Sequence, residues 1–86
     1  MSAWFIYIVR CADNSLYTGI TKDILRRVNE HNSDDLLGAK YTRGRRPVEL
    51  LYQEVFDTRS DAASREYEIK KMSRSQKEQL IESARL

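Results

Sequence analysis

The chain has 86 residues, about half a typical domain, so residues 1–86 are expected to form a single domain whose core lies near the lower size limit for independent folding. Fifteen lysines and arginines against thirteen aspartates and glutamates leave a net charge of only +2, and 41% hydrophobic beside 33% charged residues excludes a disordered chain. The single cysteine, Cys11, excludes an internal disulfide framework and a thiolate metal cluster, and the apolar stretch from Ala3 to Val9 is too short for a membrane span and lacks a preceding basic segment. The expected location is the cytoplasm.

The run Trp4-Phe5-Ile6-Tyr7-Ile8-Val9 is dense in aromatic and β-branched residues and predicts a well-buried strand. Asp13 and Asn14 mark a turn, and Leu16 to Gly19 reads as a strand returning beside the first. A three-residue loop of Asp13, Asn14 and Ser15 sets Cys11 opposite Tyr17 and puts Tyr7 and Tyr17 on one sheet face. Thr21 is the expected cap of a helix from Lys22 to about His31, with Ile24 and Val28 as an apolar i,i+4 pair and Arg27 and His31 as a polar one. Asn32 to Gly38 is expected to be a loop. Lys40, Arg43, Arg45 and Arg46 then fall within seven positions free of acidic residues, and Thr42, Gly44 and Pro47 argue against a regular helix there. Glu49 to Phe56 is the expected third strand. A helix starting at Thr58 or Ser60 and reaching about Lys71 precedes a capping box, Ser73 with Gln76, and a last helix carrying Leu80, Ile81 and Ala84. Three strands and three helices suffice for a small two-layer α/β domain.

Glu66 is the main local conflict, because Ala62 and Ile69 stand one turn away on its side of the predicted helix. A carboxylate there needs a base, a cation or water, and its oxygens suit a hard ion such as Mg²⁺; the competing reading is a salt bridge to Arg27 or another base. Arg27 offers directed hydrogen bonds to a phosphate, with His31 beside it. Tyr7 and Tyr17 bring phenols that serve as donors, acceptors or, once deprotonated, bases, although tyrosines in apolar strands commonly only pack. No glycine-rich phosphate loop is present, and the lone histidine disfavours zinc. In the basic segment, Lys40, Arg43, Arg45 and Arg46 are candidates for backbone-phosphate contact, and Tyr41 for stacking on an exposed base. Cys11 reads as a small strand residue.

In order and spacing, Phe5-Ile6-Tyr7, Tyr17-Thr18-Gly19, Arg27 with His31, and Glu66 within Arg65-Glu66-Tyr67-Glu68-Ile69-Lys70 together resemble the GIY-YIG nuclease domain, especially its small single-domain bacterial branch, the UPF0213-like proteins. The resemblance runs from Trp4 to about Ile81. It departs at Phe5, where the family has glycine, and at Thr18, where it has isoleucine. It implies an α/β domain with a three-stranded antiparallel sheet and phosphodiester cleavage, with DNA the expected substrate, using one divalent cation, Mg²⁺ or Mn²⁺. By the same resemblance Tyr7 is the preferred general base, Tyr17 orients the nucleophile, Arg27 stabilises the transition state, His31 assists proton transfer from Tyr7, and Glu66 holds the metal. The tyrosines are interchangeable at this level. Larger family nucleases add recognition domains absent from these 86 residues, so help from a second protein, and a noncatalytic nucleic-acid-binding module on the same scaffold, stand as alternatives.

Overall fold

The computed structural model describes residues 3–84. Three strands, β1 (Trp4–Arg10), β2 (Leu16–Thr21) and β3 (Glu49–Phe56), form an antiparallel sheet in the order β2-β1-β3. Four helices accompany it: α1 (Ile24–Ser33), α2 (Lys40–Arg43), α3 (Arg59–Lys70) and α4 (Arg74–Ser83). The expected α/β class and strand count hold. Among the described residues no helix is long and apolar enough to cross a membrane.

Strand β1 is central because its side chains are apolar on both faces. Ile6 and Ile8 point into one core with Ala62, Ile69 and Ile81 of α3 and α4, while Tyr7 and Val9 point into a second core with Cys11 and Val48, against Val28 of α1. Burying an isoleucine is worth about 2–3 kcal/mol, so Ile69 and Ile81 hold α3 and α4 to the sheet, and a half-buried pair between Arg65 and Glu54, 3.0 Å apart, adds a second tie from α3 to β3.

Several expected boundaries shift, each for a local reason. The β1–β2 pairing closes at Arg10 opposite Leu16, with Val9 rather than Cys11 opposite Tyr17, so the loop has five residues, not three. The loop is held by the Cys11 N–H donating to the Ser15 carbonyl at 2.8 Å, the Ser15 N–H and hydroxyl donating to Asp13, and Asn14 at φ 70°. The register moves by two residues, an even step that leaves Tyr7 and Tyr17 on the same face. Helix α1 is capped by Asp23, whose carboxylate accepts from the Arg26 N–H at 3.1 Å, while the Thr21 hydroxyl accepts from the Asp23 N–H; the helix therefore starts at Ile24, not Lys22. The basic segment contains one helical turn, α2, in place of the expected irregular loop, and Gly44 ends it. Thr58 caps α3 through the Asp61 N–H, and Ser73 with Gln76 forms the expected reciprocal box on α4.

Candidate active site

Tyr7 and Tyr17 lie on the sheet face covered by α1, with ring centroids 6.4 Å apart. Gly19 is opposite Tyr7 across the β1–β2 ladder, and a Cβ there would stand 2.6 Å from Cζ of Tyr7 and closer still to its hydroxyl oxygen. No glycine in the described residues has positive φ. The absent side chain at position 19 thus makes room for the phenol, which lies across β2.

Helix α1 brings His31 to that phenol. Its Nε2 is hydrogen-bonded to the Tyr7 hydroxyl at 2.7 Å, its ring meets Tyr17 edge-on at 5.4 Å, and none of it is exposed. The opposite nitrogen, Nδ1, is hydrogen-bonded at 2.8 Å to the hydroxyl of Thr42, which is equally buried. Burial, followed by the charge of Arg27, pushes His31 down to about 4. Burial also pushes the Tyr7 phenol up to about 12, with the Arg27 guanidinium opposing the rise and Tyr17 and Glu66 adding to it. At neutral pH Tyr7 is therefore protonated and His31 uncharged.

Arg27 lies one turn before His31 on α1. Its guanidinium donates to Glu30 at 3.0 Å and to the Leu37 carbonyl, which fixes its plane beside Tyr7. Glu66 comes from the other helical layer. It reaches the rim of the site where Lys70, its 3.2 Å partner, lies 6.0 Å over the Tyr17 ring. The expected alternative, a Glu66–Arg27 bridge, is not the pairing found: Arg27 pairs with Glu30 and Glu66 with Lys70. Four of the five expected residues, Tyr7, Tyr17, Arg27 and His31, thus occupy one face, and Glu66 borders it.

Among the described residues there is no group of three or more His, Cys, Asp or Glu side chains able to hold a metal ion. That donor set does not fit a closed tetrahedral site such as zinc requires. It does fit an ion bound as Mg²⁺ commonly is, through one or two carboxylates with water and substrate phosphate completing the shell. Glu66, 22% exposed at its side chain, is a carboxylate so placed, whereas Glu30, also near the site, is held by Arg26 and Arg27.

Residues 3–79 match the family model of the GIY-YIG catalytic domain. The chain belongs to the GIY-YIG family. Among its relatives, a UPF0213 protein of Haloquadratum walsbyi is 60% identical over 78 residues, covering 91% of this chain and 85% of its own length. A UPF0213 protein of Staphylococcus saprophyticus is 58% identical over 81 residues, covering 94% and 96%. Two solution NMR structures are similar: a UPF0213 protein of Bacillus halodurans (TM-score 0.62, 43% identity, 95% of this chain and 85% of that one) and a protein of E. faecalis (TM-score 0.65, 41% identity, 96% and 86%).

Within this GIY-YIG domain the basic segment is less uniform than its sequence suggests. Arg46 turns inward, donating to the His31 carbonyl at 2.6 Å, the Asp34 carbonyl at 3.1 Å and Asp35 at 2.9 Å, and so closes the C-terminal end of α1. Arg45 is bound to Asp13 and lies 4.1 Å over the Tyr41 ring, which also stacks on Tyr17 at 5.7 Å. Stacking of a base on Tyr41 therefore competes with contacts already made. Lys40 and Arg43 are exposed and have no acidic partner within 4 Å among the described residues.

Two residues that matter to the site are not marked for it by the sequence. Thr42 counts there only as an argument against helix. Asn32 reads as loop, yet its side chain accepts from the Val48 N–H at 2.6 Å and donates to the Val48 carbonyl at 3.1 Å, tying α1 to the start of β3. The sequence signal for Asn32 is its place one residue after His31; for Thr42 no local signal exists.

Proposed function

We propose that this GIY-YIG domain is an endonuclease that hydrolyses phosphodiester bonds in nucleic acid, DNA being the expected substrate, with one divalent cation, Mg²⁺ or Mn²⁺. The observation that supports it is the meeting of a phenol, an imidazole and a guanidinium on one sheet face with a partly exposed carboxylate at its rim. Tyr7 is preferred over Tyr17 as the base because its hydroxyl is the one bonded to His31. In this reading Tyr7 takes a proton from the attacking water while passing its own to Nε2 of His31, so no free phenolate accumulates. The high affinity of Tyr7 for its proton and the low affinity of His31 oppose the transfer in the free protein; an anionic phosphodiester beside the imidazole favours the charged ring. Tyr17 orients the nucleophile and Arg27 donates to the phosphoryl oxygens as charge builds on them. Glu66 would hold the cation, which supplies Lewis-acid charge at the phosphate and leaving oxygen. Lys40, Arg43, Arg45, Arg46 and Tyr41 flank this face and supply the proposed nucleic-acid contact, chiefly through Lys40 and Arg43.

A noncatalytic binding module is the second reading, and the Lys70–Glu66 pair favours it, because the carboxylate already has a cation. The two are separated by a cleavage time course on labelled single-stranded, duplex and branched DNA and on RNA, with Mg²⁺ or Mn²⁺ and with chelator. The expected result is metal-dependent cleavage that is lost in Glu66→Ala and Tyr7→Phe and reduced about 10²–10³-fold in Arg27→Ala, the cost of removing one transition-state donor. Binding without cleavage on every substrate would assign the second reading; cleavage that survives both chelation and Glu66→Ala would refute the one-metal mechanism.

A further inference from the structure

We propose that Thr42 is a positioning residue that fixes His31 in the Nδ1–H tautomer, leaving the Nε2 lone pair aimed at the Tyr7 hydroxyl. The inference rests on the catalytic reading for its purpose but on hydrogen bonding for its substance. The Thr42 hydroxyl has one proton, and it lies 3.0 Å from the Ala39 carbonyl, to which it donates across the turn of α2. With that proton committed, Oγ1 can only accept at its 2.8 Å contact with His31, so Nδ1 is the protonated nitrogen. An uncharged imidazole has one N–H, and Nε2 then accepts from Tyr7 at 2.7 Å. Every proton in the chain from Tyr7 through His31 and Thr42 to the Ala39 carbonyl has an acceptor.

The reverse arrangement leaves a proton stranded. Were Nε2 the donor, the Tyr7 oxygen would receive it, and the Tyr7 O–H would have no acceptor among the described residues, since its other neighbour, the Arg27 guanidinium, can only donate and the side chain is buried. That ring could also not accept a proton from Tyr7. The purpose of the one-turn helix α2 follows: it sets a hydroxyl of the segment after α1 against the far side of the imidazole. Thr42 itself is fully buried, so its hydroxyl is not presented to nucleic acid. It acts through His31.

The Ala39 N–H points at Nδ1 from 3.4 Å as a donor, a long contact that opposes Nδ1–H and that the 2.8 Å Thr42 contact outweighs in the parent, and it gives the direction of the test. When the Thr42 oxygen is removed, this N–H is the remaining polar neighbour of Nδ1, and it favours an unprotonated Nδ1, hence the Nε2–H tautomer. His31 is the chain's single histidine, so ¹⁵N-histidine labelling of the full chain gives one imidazole, whose two nitrogens are read by long-range ¹H–¹⁵N correlation at neutral pH. The expected spectrum of the parent is Nδ1–H. Thr42→Val, which preserves shape, should move the ring toward Nε2–H, and Thr42→Ser should restore Nδ1–H. In cleavage assays Thr42→Val should lower kcat with KM held, and Thr42→Ser should recover it. A parent ring in the Nε2–H form would overturn the proposal, and so would an unchanged tautomer in Thr42→Val; the parent measurement decides even if that variant fails to fold. Absence of cleavage in a parent that shows the Nδ1–H tautomer would refute the hydrolytic reading while supporting this one.

Discussion

The buried histidine makes stability fall on mild acidification, and the size of the effect follows from two values. His31 titrates near 6.5 in the unfolded chain and at about 4 in the fold, so between these pH values the unfolded state binds more protons and stability rises with pH. The His31 contribution is therefore fully present above about pH 6.5 and is lost progressively as pH falls toward 4. Between pH 7 and pH 5 the two titration curves diverge by about 2 kcal/mol, a large fraction of the total stability expected of so small a domain. This window lies above the range where carboxylates take up most of their protons, which isolates the histidine. Urea unfolding of the parent and of His31→Gln at half-unit pH steps measures it. The variant starts less stable, having lost its fit to Tyr7 and Thr42, but its stability should be nearly flat across the window while that of the parent slopes. Equal slopes, or direct NMR titration of His31 near its ordinary value, would refute the argument that burial keeps the ring uncharged.

Two further outcomes follow from contacts around the ring. Gly19→Ala places a methyl 2.6 Å from Cζ of Tyr7, and because that phenol is buried and hydrogen-bonded the ring must shift, at an expected cost of about 1–3 kcal/mol and with loss of the His31 contact; a Gly19→Ala variant with parental urea midpoint and parental histidine spectrum would contradict the role given to Gly19. In the basic segment, replacing Lys40 and Arg43 with Ala should weaken nucleic-acid binding and flatten its salt dependence by about 1 per lost phosphate contact, whereas Arg46→Ala should chiefly lower stability; binding titrations across several salt concentrations beside thermal melts separate the two, and an Arg46→Ala protein of parental stability would count against its capping role.

Strands and most helix ends are legible in the sequence because they depend on neighbours a few residues away. Ser73 and Gln76 form the box their spacing suggests, and Tyr7 and Tyr17 share a face although the loop is longer than expected, since the ladder repeats every two residues and the difference is two. What stays hidden depends on partners distant along the chain. Arg46 looks like its neighbours in a string of cations, and only the packing of the α1 C-terminus against Gly38 and Arg46 turns its guanidinium inward. Thr42 is one of several threonines at a helix-poor position until α2 sets it against an imidazole eleven residues away. The coming together of Tyr7, Tyr17, Arg27 and His31 is reached through resemblance, because no local rule joins residues of β1, β2 and α1. The Glu66–Lys70 pair, by contrast, is an ordinary i,i+4 contact that the sequence contains without marking its place at the site.

The two faces of β1 give the domain two cores, and the site draws on both. Tyr7 belongs to the core under α1, whereas Glu66 rides on α3, anchored by Ala62 and Ile69 in the core on the opposite face. Proton handling and the carboxylate at the rim are therefore held by layers on opposite faces of the sheet, joined through β1, which lends residues to both cores. Local opening that lifts α3 and α4 would carry Glu66 away while the phenol, imidazole and threonine keep their contacts on the other face, and amide exchange slower under α1 than in α3 is the expected signature. A substitution in the aliphatic layer, such as one at Ile69, can thus change how firmly Glu66 is held without altering the hydrogen-bonded chain that ends at Ala39.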